Sequence, residues 1–190
     1  MLSGNMIGRV LQFHIDVGAP ETFVVGQLVW MNKQWFLVRC ISASGKWDGL
    51  ALYLLSDIVA VHTDGEYIRK ITYLLHYRKD PLPSIPEIGA HALADFFKFA
   101  KETHKMVGLE LYMSGCRDAI GFIISFDNHM LCIQQVDEYG KPDGISFIDD
   151  DAITRCFIDD EDLLCLKLLN QQYSFAPQTY KENNFIDMTM

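Results

Sequence analysis

The chain has 190 residues, 49% of them hydrophobic and 22% charged, a balance that excludes collagen-like, low-complexity and disordered chains and suits one globular unit or two small ones. Its 16 basic and 25 acidic side chains leave a formal charge of −9 and a pI near 5.0, which argues against a general binder of nucleic acid or anionic membrane. The charge is uneven: residues 1–80 carry 8 basic and 7 acidic groups, 81–107 carry 3 and 3, 108–170 carry 4 and 13, and 171–190 carry 1 and 2.

Residues 1–9 have neither the basic start nor the apolar run of an export signal, and no apolar stretch reaches the roughly 18 residues of a membrane span. Residues 10–15, 23–31, 35–42, 50–55 and 58–62 are short runs rich in β-branched and aromatic side chains, separated by Gly, Asp and Asn; they predict five strands. Gly26 falls inside the second run, where glycine commonly marks the sharp bend of a small barrel. Residues 66–75 fit a final strand or a short helix equally well. Pro81, Pro83 and Pro86 then stiffen a linker. A helix is expected to open from it, with Ser84 and Glu87 at capping-box spacing and Leu93, Phe96, Phe97 and Ala100 forming one apolar stripe opposite Asp95, Lys98 and Glu102. Two phenylalanines in that stripe require a packing partner across the seam between the flanking units. Beyond it, residues 109–113 and 145–149 alternate in the manner of strands, residues 161–169 repeat the strand-or-helix ambiguity, and residues 173–190 read as a tail.

An internal repeat organises these elements. Gly45-Lys46-Trp47-Asp48-Gly49 is echoed by Gly140-Lys141-Pro142-Asp143-Gly144 at an offset of 95, and the same offset pairs Gly26 with Gly121, Ile58 with Ile153, Asp64 with Asp159, Glu66 with Glu161 and Leu74 with Leu169. That makes 9 identities over the 51 positions from 24 to 74, where average composition gives roughly 3. Apolar pairs such as Phe36/Leu131, Val38/Ile133 and Leu50/Ile145 follow the offset too. The expectation is therefore a mainly β protein with a linking helix, a tandem duplication of a five-stranded small barrel: residues 1–80, a linker and helix at 81–105, an acidic second barrel at 106–172, and the tail.

The second copy resembles the Sm-like (LSm) family of five-stranded barrels. Leu109-Glu110-Leu111, Gly115, Gly121-Phe122-Ile123 and Asp127-Asn128-His129-Met130 look like that family's first motif, and Phe147-Ile148 followed by Ile153 looks like the second. Other SH3-like barrels share much of this pattern. The resemblance implies assembly by joining edge strands. The family's RNA pocket, held by an Asn of the first motif and an Arg-Gly of the second, is not matched: the Asn position is Phe36 or Leu131, and the Arg-Gly positions are Leu54-Leu55 or Asp149-Asp150. An aspartate in place of a cation reverses the local field that attracts phosphate.

Chemistry-bearing residues are scattered. Cys116-Arg117-Asp118 places a cation beside a thiol, but no histidine is tied to it by spacing, so an ordinary turn cysteine is the expectation. The five cysteines, 40, 116, 132, 156 and 165, contain no C-x-x-C pair, which fits reduced thiols in the cytoplasm. Histidines 14, 62, 76, 91, 104 and 129 show no metal-ligand spacing. Asp149, Asp150 and Asp151 with Asp159, Asp160 and Asp162 follow no calcium-loop pattern and read as a solvated rim or a docking face for a basic partner. Trp30, Lys33, Trp35, Lys46 and Trp47 are candidate contacts for a protein partner or for stacked RNA bases. No nucleotide-binding, hydrolase or zinc-protease motif occurs. The expected function is a cytoplasmic, non-enzymatic interaction or assembly protein without cofactor or metal, engaging a protein partner or a second copy and no membrane. RNA binding through the first copy is the alternative, and a small-molecule sensor with its ligand beneath Phe96 and Phe97 a third.

Overall fold

The computed structural model describes residues 2–16, 18, 19 and 21–174. The first apolar runs form β1 (Val10–His14), β2 (Val24–Met31), β3 (Trp35–Ile41), β4 (Trp47–Leu54) and β5 (Ala60–His62), followed by α1 (Glu66–Arg78). After the linker come α2 (Ala92–Glu102), β6 (Val107–Leu111), β7 (Ala119–Asp127), β8 (Met130–Val136), β9 (Pro142–Asp149), β10 (Ile153–Ile158) and α3 (Glu161–Ser174). The ambiguous segments at 66–75 and 161–169 are helical, because their buried side chains recur at helical spacing: Ile68 and Ile71 in α1, Leu163 and then the partly buried Leu166 in α3. Residues 173 and 174, read as the start of the tail, belong to α3; the rest of that tail lies outside the described residues.

All ladders are antiparallel, and the ten strands make one open sheet in the order β5-β1-β2-β3-β4-β10-β6-β7-β8-β9. Two closed barrels were the expectation. Instead, β4 gives its outer edge to β10, and among the described residues no ladder joins β5 to β4. Each half has the same internal order, with its fifth strand beside its first.

The offset of 95 extends to geometry. The register of β2 on β3 slips between Leu28 and Trp30, that of β7 on β8 between Ile123 and Ser125. The next ladders slip between Arg39 and Ile41 and between Gln134 and Val136. The Ser42 N–H donates to the Lys46 carbonyl and the Asp137 N–H to that of Lys141, each at 2.9 Å. Two glycine identities gain a physical cause. Gly45 and Gly140 adopt φ of +75° and +83°, and a Cβ on either would strike Leu74 or Leu169 of the following helix. At Gly121 a Cβ would enter the Gln134 carbonyl, as one at Gly26 would enter that of Arg39.

The largest apolar core crosses from one half to the other. It joins Trp35, Leu37, Leu50 and Leu52 of the first half to Phe96, Phe97 and Ala100 of α2 and to Leu109, Leu131, Ile133 and Ile158 of the second. The opposite faces of β3 and β4 carry Phe36, Val38, Ala51 and Tyr53 into a second core with Leu11 and Phe13. Loss of a ring such as Phe97 from so closed a site costs about 3–5 kcal/mol. The helix begins later than its capping box predicts. Ser84 and Glu87 remain in the linker outside any helix, and the Pro83 carbonyl accepts from Arg39 Nη2 at 3.1 Å. The chain turns helical only after His91, where the Asp95 carboxylate accepts the Gly89 N–H at 2.8 Å.

Replacing Gly121 with alanine forces β7 away from the backbone of β8 and is expected to cost about 1–3 kcal/mol in a urea melt, the range for overpacked cores. Gly4→Ala, whose added methyl meets nothing within 4 Å, is expected to leave the midpoint within error.

Candidate functional site

Two features stand out among the described residues: the seam where β4 meets β10, and the outer strands β5 and β9, each bonded on one side only. At the seam Tyr53, Leu52, Ala51 and Leu50 stand opposite Arg155, Cys156, Phe157 and Ile158. The ladder is reinforced by buried charge. Arg155 donates from Nη1 to Glu110 Oε2 at 2.9 Å and from Nη2 to the Ile15 carbonyl at 2.6 Å, so one guanidinium ties β10 to β6 and to the first half. Glu110 also accepts the Gly115 N–H, and Thr154 donates to the Glu110 carbonyl. Asp57, buried in the 3-10 turn after β4, lies within the field of Arg155. Desolvation raises its carboxyl above the usual range, against the opposing pull of Ser56 and Arg155. Asp57 Oδ2 and Arg155 Nε make no hydrogen bond.

The candidate aromatic and basic contacts are not gathered into one patch. Trp35 is a core residue under α2, while Trp30 is half-buried against the same core. Lys33 lies in the β2–β3 turn, whereas Lys46 and Trp47 lie at the far end of β3. Arg39 is buried, donates to Gln27 and Pro83, and stacks its guanidinium over Trp47 at 5.4 Å. Phe36 and Leu131, where the sequence reading found no counterpart of an RNA-contacting Asn, are wholly buried in the two cores.

The acidic residues divide similarly. Asp159 pairs with Lys105, and Asp160 takes both terminal nitrogens of Arg117 at 3.2 and 2.7 Å while accepting the Leu163 N–H at the start of α3. Burial nevertheless holds the Asp160 carboxyl above its ordinary range. Asp162 is exposed, 3.8 Å from Arg117. Asp149, Asp150 and Asp151 sit at the opposite end of β10, their carboxylates within 4.8 Å of one another. Asp149 accepts the Asp151 N–H, and Asp150 pairs with His129 Nδ1 at 2.9 Å. Cys116 is exposed beside Ser114 and Asp118, with no imidazole among its hydrogen-bond partners. Cys156 is fully buried, which pushes its thiol far up.

A feature that sequence reasoning missed is the outer edge itself. On β9, Ile145 is 57% and Phe147 71% exposed, yet their mates at the offset of 95, Leu50 and Leu52, are 2% and 0% exposed because β10 and α2 cover β4. Beside β5 runs a groove of about 590 Å³ lined by Leu2, Met6, Leu55, Ile58, Val61 and Lys33. The alternation of 145–149 marks a strand and does not say whether its apolar face is covered; the sheet order places it at an outer edge.

Among the described residues, no helix is long and apolar enough to cross a membrane. The chain matches no family model, no curated protein and no solved structure.

Glu110→Leu strands the Arg155 charge in the seam and is expected to cost about 3–5 kcal/mol in a denaturant melt, while Glu110→Leu with Arg155→Met recovers most of the loss. The hydrogen bond to Asp150, then that carboxylate's charge, raises the His129 pKa above 6.5. The pairing is thus fully present below the ordinary histidine value and is lost as pH rises through the elevated one. An NMR titration is expected to place His129 above 6.5, with Asp150→Asn returning it towards that value.

Proposed function

We propose that the chain is a non-enzymatic interaction module, two tandem diverged copies of one Sm-like five-stranded unit, that binds protein by adding a strand to the outer edge of its sheet. The observation that carries this reading is the bare β9 edge, with Ile145 and Phe147 exposed where their mates in β4 are buried. Exposed, apolar and unpaired strand edges are templates for another chain, and soluble proteins ordinarily blunt them with charge, proline or a covering element. Here the one proline of β9 is at its first residue, and the acidic side chains flank the apolar pair without interrupting it.

The duplication is supported by the shared strand order, the two matched register slips and the matched turns. Assembly is also the mode by which the halves themselves join, edge to edge at β4 and β10. An RNA-binding reading draws no support from the site, since Trp35 is buried and Lys46 stands at the far end of β3 from Lys33.

The test is photo-crosslinking in living cells with a benzophenone side chain at position 147 and, as control, at Tyr77, which is 78% exposed on α1. Protein adducts at 147 and not at 77 are expected. Adducts that ribonuclease removes, or none at 147, would overturn the reading.

A further inference from the structure

We propose that residues 175–190 of the same chain bind the bare outer face of β8 and β9. The proposal rests on the reading of β9 as the interaction edge and adds its regulation: this segment and a partner strand compete for Phe147. The internal repeat supplies the template. In each half the helix after the fifth strand covers one end of the outer sheet face. α1 sets Ile71 with Val25 and Ile41, and α3 sets Leu163 with Val136, Ile120 and Phe122. The other end of the first face carries Trp35, Leu37, Leu50 and Leu52, all buried. It is covered by the chain that leaves α1, since Pro83 accepts from Arg39, and Ile88 and then α2 pack on that core.

At the offset of 95 those four residues become Met130, Cys132, Ile145 and Phe147. The ladder places them alike, with Leu37 opposite Leu52 in one half and Cys132 opposite Phe147 in the other. Three of the second set are exposed, and Met130 is 40% exposed where Trp35 is 4%. The face is thus apolar like its mate, while the cover is missing among the described residues. Residues 175–190 leave α3 where 79–91 leave α1. At about 3.3 Å per residue they reach well beyond two strands spaced about 4.8 Å apart.

The composition of the segment suits the face. It carries Phe175, Tyr180, Phe185, Ile186, Met188 and Met190, and its one cation, Lys181, answers the exposed rim of Asp143 and Asp149. The attachment differs from its template in one respect. Gln134 stands at the position of Arg39 and spends its amide on the Gly144 carbonyl at 2.7 Å, so no guanidinium clamps the segment and apolar contact holds it. It is therefore a cover that can be exchanged. A tethered segment acts at roughly millimolar effective concentration, and a partner strand binds more weakly by the fraction of time the face is covered.

The test places a benzophenone side chain at position 145 of the purified full chain, leaving Phe147 intact, and maps the photo-adducts by peptide mass spectrometry. Adducts between 145 and residues 175–190 are expected, with a yield that does not change on dilution. Phe147→Lys is expected to reduce them several-fold; position 147 is exposed, so that chain keeps its melting temperature. In an equal mixture of isotope-labelled and unlabelled chains, adducts joining the two labels overturn binding within one chain. No adduct to 175–190 overturns the proposal. Deleting residues 175–190 is expected to raise the yield of partner adducts at 147 in cells several-fold, and an unchanged yield overturns the competition. The purified chain contains no partner, so the two readings fail separately. Protein adducts at 147 in cells without a 175–190 adduct in the purified chain leave the interaction module standing; the converse, persisting after the deletion, removes the module and leaves the covered face.

Discussion

Four residue pairs between β4 and β10 hold this molecule in its shape. Without them the chain has two five-stranded halves, each with a free fourth strand and a free fifth. With them it has one sheet, a core that runs through both halves, and a floor on which α2 can bury two phenylalanines. Backbone pairing alone would be indifferent to which strand met which. The specificity comes from Arg155, whose two terminal nitrogens find acceptors where Glu110 and the Ile15 carbonyl converge. Buried ion pairs contribute little net stability and are costly when broken, which suits a role in selecting one arrangement over others.

The consequence for function is an economy of surface. The inner seam carries a buried charged network, whereas the outer strands β5 and β9 are each bonded on one side only. Phe36, Leu131 and Trp35 are given over to packing, the first two in the cores and Trp35 under α2. Of the acidic groups, Asp159 and Asp160 serve the fold through Lys105 and Arg117. Among the six candidate aspartates, Asp149, Asp151 and Asp162 are exposed.

Much of the architecture was legible in the residues. The glycine pairs 26/121 and 45/140 encode close backbone approach and positive φ, requirements that a local sequence must advertise, and they located the turns and strands of both halves. The stripe of α2 was legible for the same reason. Its starting point was not, because the linker is pinned by Arg39, some 44 residues away in sequence, and no capping pattern records that. The strands β3 and β4 are buried on both faces, which erases the alternation that would tell inside from outside. The seam left no local trace: Arg155 reads like any surface arginine, and Asp160 like one of a run, until partners from other elements reach them. Exposure of Ile145 and Phe147 is invisible for the converse reason, since an alternating apolar strand looks alike whether its partner is present or missing.

The seam also bears on how the protein is made. β4 leaves the ribosome about a hundred residues ahead of β10, and N-terminal segments generally fold first. A nascent first half therefore waits with its inner edge bare, and the same Ile15 carbonyl that receives Arg155 from its own chain would receive it equally well from a neighbour's. Chemistry does not distinguish the two outcomes. The tether does: the short proline-rich linker holds β10 near its own β4 at a high effective concentration, and Arg39 shortens it further by fastening Pro83 to the sheet. Folding to a single chain, as opposed to an exchanged pair, is thus written in the length and stiffness of a segment that contributes no strand at all.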